Sequence, residues 1–231
     1  MKFGVIGCGL IAEEMYLPHL VSKFSRRDLF LVDLDQSRLD YLNDSFGEMN
    51  TSNDYKEIVD EVDCVIICTP PSTHFEISSF FLENNINIIC EKPVTNNYNE
   101  YLNLKETIKT SSSIFSVSNT RRYFPTNKLI KYLISSKKFG EVRNLKYYET
   151  GKLSWNSNSD FLFSHGRGIT QDRGAHVFDL IHWWFDDKIN LKSYRDDSKH
   201  GVESFSISNF TSETCNIEVR MTWLVKTSNN F

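Results

Sequence analysis

The sequence predicts an α/β chain, with a doubly wound parallel sheet over its first half followed by a smaller α+β region with a mostly antiparallel sheet. Three observations carry this expectation. Short apolar, β-branched runs alternate with segments of helical length and spacing up to about residue 118. A glycine-bearing turn, Gly7-Cys8-Gly9-Leu10-Ile11-Ala12, stands between the first such run and the first helical segment. After Arg121 the alternation stops. Strands joined through helices imply right-handed crossovers, so the first half builds a parallel sheet covered on both faces.

Taken in order, Lys2 to Gly7 is the first strand, and Leu10 to Phe24 has the spacing of a helix in spite of Pro18. Leu29 to Asp33 is the next strand and Gln36 to Phe46 the next helix. Asp63 to Cys68 is continuous and β-branched, as expected of a strand buried on both faces, and Pro70-Pro71 stops it. Thr73 to Glu83 reads as helix, Ile86 to Cys90 as strand, Asn97 to Thr110 as helix and Ile114 to Ser118 as strand. Beyond Arg121, a helix from Pro125 to Ser136 leads through Gly140 into a strand from Glu141 to Thr150. A polar loop to Thr170, a helix from Gly174 to Phe185, and strands at Ser204 to Phe210 and Asn216 to Val225 follow, with neighbouring strands expected to be antiparallel. A first domain of residues 1–120 and a second of 121–231 rest on this change of pattern, since no repeat, low-complexity tract or long flexible linker marks the boundary.

With 231 residues, 40% hydrophobic and 13% aromatic side chains, the chain can bury one large core or two modest ones. A net charge of -4 gives no broad basic footprint, which argues against a nucleic-acid or anionic-membrane partner. No apolar stretch approaches the roughly 20 residues of a membrane-spanning helix. The opening MKFGVIGCGLIA is broken by Gly7 and Gly9 and followed by Glu13 and Glu14, so it is not read as an export signal. Cys8, Cys64, Cys68, Cys90 and Cys215 are odd in number and scattered in apolar runs, as buried free thiols of a cytoplasmic protein would be.

The turn carries the first chemical expectation. In Gly7-x-Gly9-x-x-Ala12, Gly7 permits the tight turn, Gly9 has no side chain to block a pyrophosphate, and Ala12 lets the helix pack close to the sheet. The helix N-terminus offers unpaired N–H groups and the positive end of its dipole. The pattern points to a Rossmann-type domain binding a dinucleotide over Gly7, Gly9, Leu10, Ile11 and Ala12. Asp33 closes the second strand about 20 residues further on, where a carboxylate can accept from the adenosine ribose hydroxyls and repel a 2′-phosphate, favouring NAD over NADP. Asp35 offers the same chemistry, and Arg38 would partly offset the repulsion. The plain alternatives are a glycine turn that binds nothing and an aspartate that merely ends a strand.

Four further segments stand in order with that turn: Cys68-Thr-Pro-Pro-Ser-Thr-His74, Glu91-Lys92-Pro93, Asn119-Thr-Arg-Arg-Tyr-Phe-Pro125 and Asp172-Arg-Gly-Ala-His176-Val-Phe-Asp179. Together they resemble the Gfo/Idh/MocA family of nicotinamide-dependent oxidoreductases over nearly the whole chain. The resemblance implies that Lys92 contacts the reacting hydroxyl and stabilises the alkoxide, with Pro93 fixing the backbone around it. An ammonium beside a developing oxyanion in a dry cleft is a strong stabiliser of a transition state. It also assigns His176 as general base, with Asp172 orienting it or binding substrate. An unperturbed imidazole, with a pKa of about 6.5, suits that task. The two residues share a face if one helix holds both, whereas Asp172 just outside the helix would be its N-cap. Cys68, Thr69, Pro70 and His74 follow a strand at the cofactor edge and are expected to line the nicotinamide ring, with Glu91 and Lys92 on the same edge. Core packing is the plain alternative for Cys68.

Asp179 and His182 follow on the same helix, but two histidines and two carboxylates on one helix do not converge on one ion, so no metal is expected. Asp179 is read as a tether or a support for the site. Arg121 and Arg122 either hold an anionic substrate group or pair with carboxylates, and Trp155, Arg167 and Gly168 suit a substrate wall. The expected function is hydride transfer between a secondary alcohol of a sugar, nucleotide sugar or cyclitol and NAD(P), with a possible homo-oligomer through the C-terminal sheet. Residues after Lys188 leave room for about three strands of typical length, fewer than the family usually carries. Two alternatives therefore stand beside the first: an NAD-dependent glycoside-cleaving relative, and a truncated or regulatory NAD-binding protein without turnover.

Overall fold

The computed structural model describes residues 1–151, 168–186, 189–198 and 202–224. The chain divides into two compact units, Met1–Ser118 and Asn119–Phe231.

The first unit holds a six-stranded sheet in the order β3-β2-β1-β4-β5-β6. Its strands are β1 (Phe3–Ile6), β2 (Leu29–Val32), β3 (Asn50–Ser52), β4 (Cys64–Ile67), β5 (Asn87–Cys90) and β6 (Phe115–Val117). Every pairing is parallel. All four residues of β1 and of β4 are buried, which is why their sequence is apolar throughout rather than alternating. One face packs Val5, Leu31 and Ile66 against Leu17, Leu20, Leu39 and Leu42. The other packs Ile6, Val65 and Ile88 against Ile77, Phe81, Leu82 and Leu104. These come from α1 (Leu17–Lys23), α2 (Gln36–Phe46), α3 (His74–Glu83) and α4 (Tyr98–Thr110). The strand order reverses between β1 and β4, and open α/β sheets bind ligands outside the carboxyl ends of strands at such a point.

Two details depart from the sequence reading. The first helix is not uniform: a π-helical turn, Ala12–Tyr16, precedes α1. Pro18 has no N–H to donate, so the regular ladder must give way one turn before it. Strand β3 was not foreseen, because Asn50–Ser52 is a short, polar run at the sheet edge with no apolar alternation.

The second unit holds α5 (Pro125–Ser135), β7 (Asn144–Thr150), α6 (Ile169–Phe185), β8 (Asn190–Asp196), β9 (Phe205–Thr211) and β10 (Asn216–Thr222). The sheet order is β7-β10-β9-β8. The two pairs involving β9 are antiparallel. The sheet is thus mostly antiparallel, as expected, and not wholly so, because the β7–β10 pair is parallel. Its partners, such as Val219 and Tyr147, lie far apart in the chain, and local alternation reports a buried face rather than a strand's direction. Ile217, Val219 and Met221 face Val177, Leu180, Ile181 and Trp184 of α6 to form the core of this unit. Edge strand β8 is exposed throughout, so its sequence shows no alternation by which to find it. Val225, the expected end of the last strand, lies outside the described residues.

Helix α6 begins at Ile169, not Gly174, which removes Thr170 from the expected loop. Its cap is non-local: the Glu203 carbonyl accepts the Ile169 N–H at 3.0 Å, and Glu203 Oε1 accepts the Thr170 N–H at 2.9 Å. The N-cap is Gly168, where an added Cβ would run into the Glu203 carboxylate. Asp172 is therefore inside the first turn and is not the capping residue, a position where its charge is favourable to the helix dipole.

Candidate active site

The glycine turn has the shape a dinucleotide requires. Gly7 has φ +86°, and a Cβ there would lie 2.6 Å from the Thr69 nitrogen and 2.8 Å from the Cys68 carbonyl carbon. The turns after β1 and β4 thus touch through a position only glycine fills. Gly9 differs: it is exposed, and a Cβ built there meets nothing within 4 Å. That open space is a cradle a side chain would fill, on the side where the second glycine of this pattern admits a pyrophosphate. Ala12 is fully buried against the sheet, Leu10 is exposed and Ile11 half-buried.

Asp33, at the end of β2, is half-buried and oriented by the turn itself. Its Oδ2 accepts the Cys8 N–H at 2.7 Å and its Oδ1 accepts the Asp35 N–H at 3.0 Å. Asp35 instead caps α2, accepting from the Ser37 N–H at 3.0 Å and the Ser37 hydroxyl at 2.6 Å. Ser37 holds the Asp35 carboxyl below its ordinary value. Of the two aspartates, Asp33 is the one joined to the glycine turn. Arg38 donates to the Cys8 carbonyl at 2.6 Å and pairs with Glu13, so its charge already faces a carboxylate.

The carboxyl ends of β4 and β5 are braced by side chains. The Thr73 hydroxyl donates to Thr69 Oγ1 at 2.8 Å, and Pro70 is exposed. His74 is fully buried, with Nε2 2.8 Å from the Thr69 carbonyl and Nδ1 2.8 Å from the Pro93 carbonyl. A fully buried ring has no surface for a ligand, which corrects the expectation that His74 contacts the nicotinamide; it ties two loops together instead. The Lys92–Pro93 peptide is cis, and Glu91 and Lys92 are half-buried. Glu91 Oε1 accepts from the Tyr16 hydroxyl at 2.6 Å, and Oε2 accepts the Lys92 N–H at 3.2 Å. Tyr16 Oη also lies 2.8 Å from Ser118 Oγ.

Cys8, Cys64, Cys68 and Cys90 are free thiols. Burial pushes the Cys64 thiol up to about 11 and the Cys8 and Cys90 thiols up to about 12, and it raises Cys68 as well. They are poor nucleophiles near neutral pH. Cys68 is half-buried rather than fully buried.

In the second unit, Asp172 and His176 lie one turn apart on α6, both half-buried. Asp172 Oδ2 is 3.2 Å from Arg173 Nε, and Arg173 is 3.6 Å from Glu149 Oε1. Arg121 grips Glu149 with two nitrogens, at 2.8 and 2.9 Å, and Tyr147 donates to the same carboxylate at 3.2 Å. Burial works to raise the Glu149 carboxyl, but the Arg121 hydrogen bonds and the charges of Arg121 and Arg173 outweigh it, leaving the group below its ordinary value. Arg122 donates to Asp179 Oδ2 at 2.8 Å, and Asn119 donates to Asp179 Oδ1 at 2.8 Å. Between the two readings the sequence left open for Arg121 and Arg122, the structure shows carboxylate pairs, and it makes Asp179 the tether of α6 to the segment before α5. His182 is exposed. Trp155 and Arg167 lie outside the described residues.

Among the described residues no group of three or more His, Cys, Asp and Glu could hold a metal ion, and no helix is long and apolar enough to cross a membrane. Sequence reasoning missed Tyr16, Ser118, Glu149, Arg173 and Glu203. Tyr16 and Glu91 are 75 positions apart, and no local pattern joins them.

Comparison with known proteins places this geometry among relatives. Residues 1–119 match a family model described as "Oxidoreductase family, NAD-binding Rossmann fold". Oxidoreductase P35 of Formosa agariphila is 24% identical over 204 residues, covering 83% of this chain and 63% of the relative. Glucose-6-phosphate 3-dehydrogenase of Bacillus subtilis is 24% identical over 204 residues, covering 84% of this chain and 56% of the relative. The chain thus spans less than two thirds of the length of these curated relatives. Scyllo-inositol dehydrogenase of Lactobacillus casei, solved with bound NAD(H) and scyllo-inositol, shares the fold at a TM-score of 0.81 and 15% identity, over 96% of this chain and 70% of that one. A family match over residues 1–119, just over half the chain and the stretch that holds the glycine turn and the six-stranded sheet, makes this chain a member of the Gfo/Idh/MocA family of NAD-binding Rossmann-fold oxidoreductases.

Proposed function

We propose that this chain is an NAD-dependent dehydrogenase acting on a secondary alcohol of a sugar, nucleotide sugar or cyclitol. The observation that carries the reading is the braced Glu91-Lys92-Pro93 segment on the carboxyl edge of the sheet whose first turn is shaped for a dinucleotide. When bound, NAD supplies a hydride acceptor at its nicotinamide ring. The turn at Gly7, Gly9 and the N-terminus beyond would hold the pyrophosphate, and Asp33 the adenosine ribose. Lys92 presents an ammonium to the reacting hydroxyl and stabilises the alkoxide that develops there. His176 takes the hydroxyl proton, and Asp172, one turn earlier on α6, orients the imidazole or hydrogen-bonds substrate. With Arg121 and Arg122 committed to Glu149 and Asp179, the reading favours a neutral polyol over a substrate chosen by those arginines.

The test is steady-state turnover with NAD across inositols, aldoses, sugar phosphates and nucleotide sugars, comparing wild type with Lys92→Ala. Loss of transition-state stabilisation by one charged donor predicts a fall of about 100-fold or more in turnover, with NADH binding nearly intact. Undiminished turnover in Lys92→Ala would overturn the assignment. Net accumulation of NADH separates dehydrogenation from glycoside cleavage, in which the cofactor is regenerated within the cycle.

A further inference from the structure

We infer that Tyr16 is a positioning residue for Lys92, acting through the Glu91 carboxylate. The inference rests on the role proposed above for Lys92, and it begins from the number of hydrogens available. Tyr16 Oη lies 2.6 Å from Glu91 Oε1 and 2.8 Å from Ser118 Oγ, yet a phenol has a single hydrogen to give. A carboxylate only accepts, so that hydrogen goes to Glu91 and the Ser118 hydroxyl must donate to Tyr16. The result is a chain of one direction, Ser118 to Tyr16 to Glu91, ending in a charge-assisted bond. The other oxygen of Glu91 accepts the Lys92 N–H at 3.2 Å. One carboxylate therefore couples a side chain of the first helix to the main chain of the lysine.

The local backbone serves this contact. Tyr16 is the last residue of the π turn Ala12–Tyr16, and the additional residue of such a turn rotates a helix face by about 100°. π turns of this kind recur at functional sites. Ser118 is buried at the end of β6 and Glu91 follows β5, so the chain spans three adjoining segments at the sheet's carboxyl edge. Burial first, and then the hydrogen bond to Glu91, hold the Tyr16 phenol well above its ordinary value. Tyr16 is thus a permanent donor and does not shuttle protons. Removing its hydroxyl leaves a half-buried carboxylate short of its strongest donor and free to turn from the Lys92 N–H, so both the direction of the lysine and the field around it change.

The experiment compares wild type, Tyr16→Phe and Lys92→Ala as full chains. Reductive methylation with 13C-formaldehyde labels the lysines while keeping their charge, and loss of one resonance in Lys92→Ala assigns Lys92. Tyr16→Phe is expected to move the Lys92 titration midpoint by about 0.5 pH unit or more, a shift on the scale that one neighbouring group produces. It should also lower kcat about 10-fold or more while the NADH dissociation constant stays within about twofold. A folded Tyr16→Phe whose Lys92 midpoint matches wild type overturns the inference, as does one with unchanged kcat. Should Tyr16→Phe fail to fold, Ser118→Ala breaks the same chain one link earlier, and an unmoved Lys92 midpoint there overturns it equally. Full activity in Lys92→Ala would instead remove the catalytic role of Lys92, and the midpoint alone would then decide whether Tyr16 sets that side chain.

Discussion

Alanine at Gly7 and alanine at Gly9 should fail in opposite ways. At Gly7 the backbone sits at φ +86°, a region that costs an L-residue about 1–2 kcal/mol. The new methyl would also lie 2.6 Å from the Thr69 nitrogen, and main chain cannot swing aside as a flexible side-chain tip can. Forcing a methyl into filled space adds about 1–3 kcal/mol. The sum is roughly 2–5 kcal/mol, a large part of the total stability of about 5–15 kcal/mol of a typical domain. Gly9 has no positive φ, and a methyl placed there has no neighbour within 4 Å, so Gly9→Ala should change stability by no more than about 0.5 kcal/mol. The same methyl enters the space for a pyrophosphate, and a misfit of about 1–3 kcal/mol weakens NADH binding about 5- to 150-fold. Urea unfolding followed by far-UV circular dichroism gives the first quantity, and quenching of protein fluorescence by NADH gives the second. A Gly9→Ala protein that binds NADH as tightly as wild type would refute the placement of the pyrophosphate over this turn.

Three further outcomes follow from single contacts. Asp33→Ser keeps a small polar group but removes the charge that would repel a 2′-phosphate, so the ratio of NADPH to NADH dissociation constants should fall about tenfold or more. An unchanged ratio would place the discrimination elsewhere. The Glu149 carboxyl titrates below its ordinary value in the folded chain, so its contribution is present above the unfolded value of about 4.3 and is lost as the pH falls through the folded one. Glu149→Gln should therefore be less stable than wild type by about 1.5–3 kcal/mol at pH 7, with the gap closing below about pH 4 in urea midpoints. A gap independent of pH would show that the Arg121 pair is not its source. His74→Leu removes the ring between the Thr69 and Pro93 carbonyls, and since a neutral imidazole has one N–H to give, the carbonyl that loses it is left bare at a cost of about 1–3 kcal/mol. Thermal unfolding measures it, and an unchanged midpoint would show that these contacts carry no net stability.

The carboxyl edge of the first sheet shows a division of labour among its polar residues. Gly9 leaves a space, Asp33 and Lys92 are half-buried, and His74, Tyr16 and Ser118 hold the loops that carry them. The second unit is organised by charge: Asp172, Arg173, Glu149 and Arg121 form a continuous run of alternating sign, linking α6, β7 and the segment before α5. Arginine suits such a run because its planar group engages a carboxylate through two nitrogens at once, as Arg121 does with Glu149.

The amino-acid sequence by itself determined the features that depend on near neighbours. The bounds of the helix Gln36–Phe46, the all-apolar strand before Pro70-Pro71 and the glycine turn between strand and helix are readable because periodicity, φ preference and a missing side chain act within a few residues. Only the tertiary structure decided which charged group each polar residue meets. Arg121 met Glu149, Asp35 went to cap α2 while Asp33 joined the turn, and Glu203 capped a helix more than thirty positions before it. The same holds for β7 and β10, whose parallel pairing leaves no mark in either strand. Burial is recorded locally, because each side chain's polarity reports its own solvent. Partnership is not, because a charge is satisfied by whatever opposite group the fold brings near.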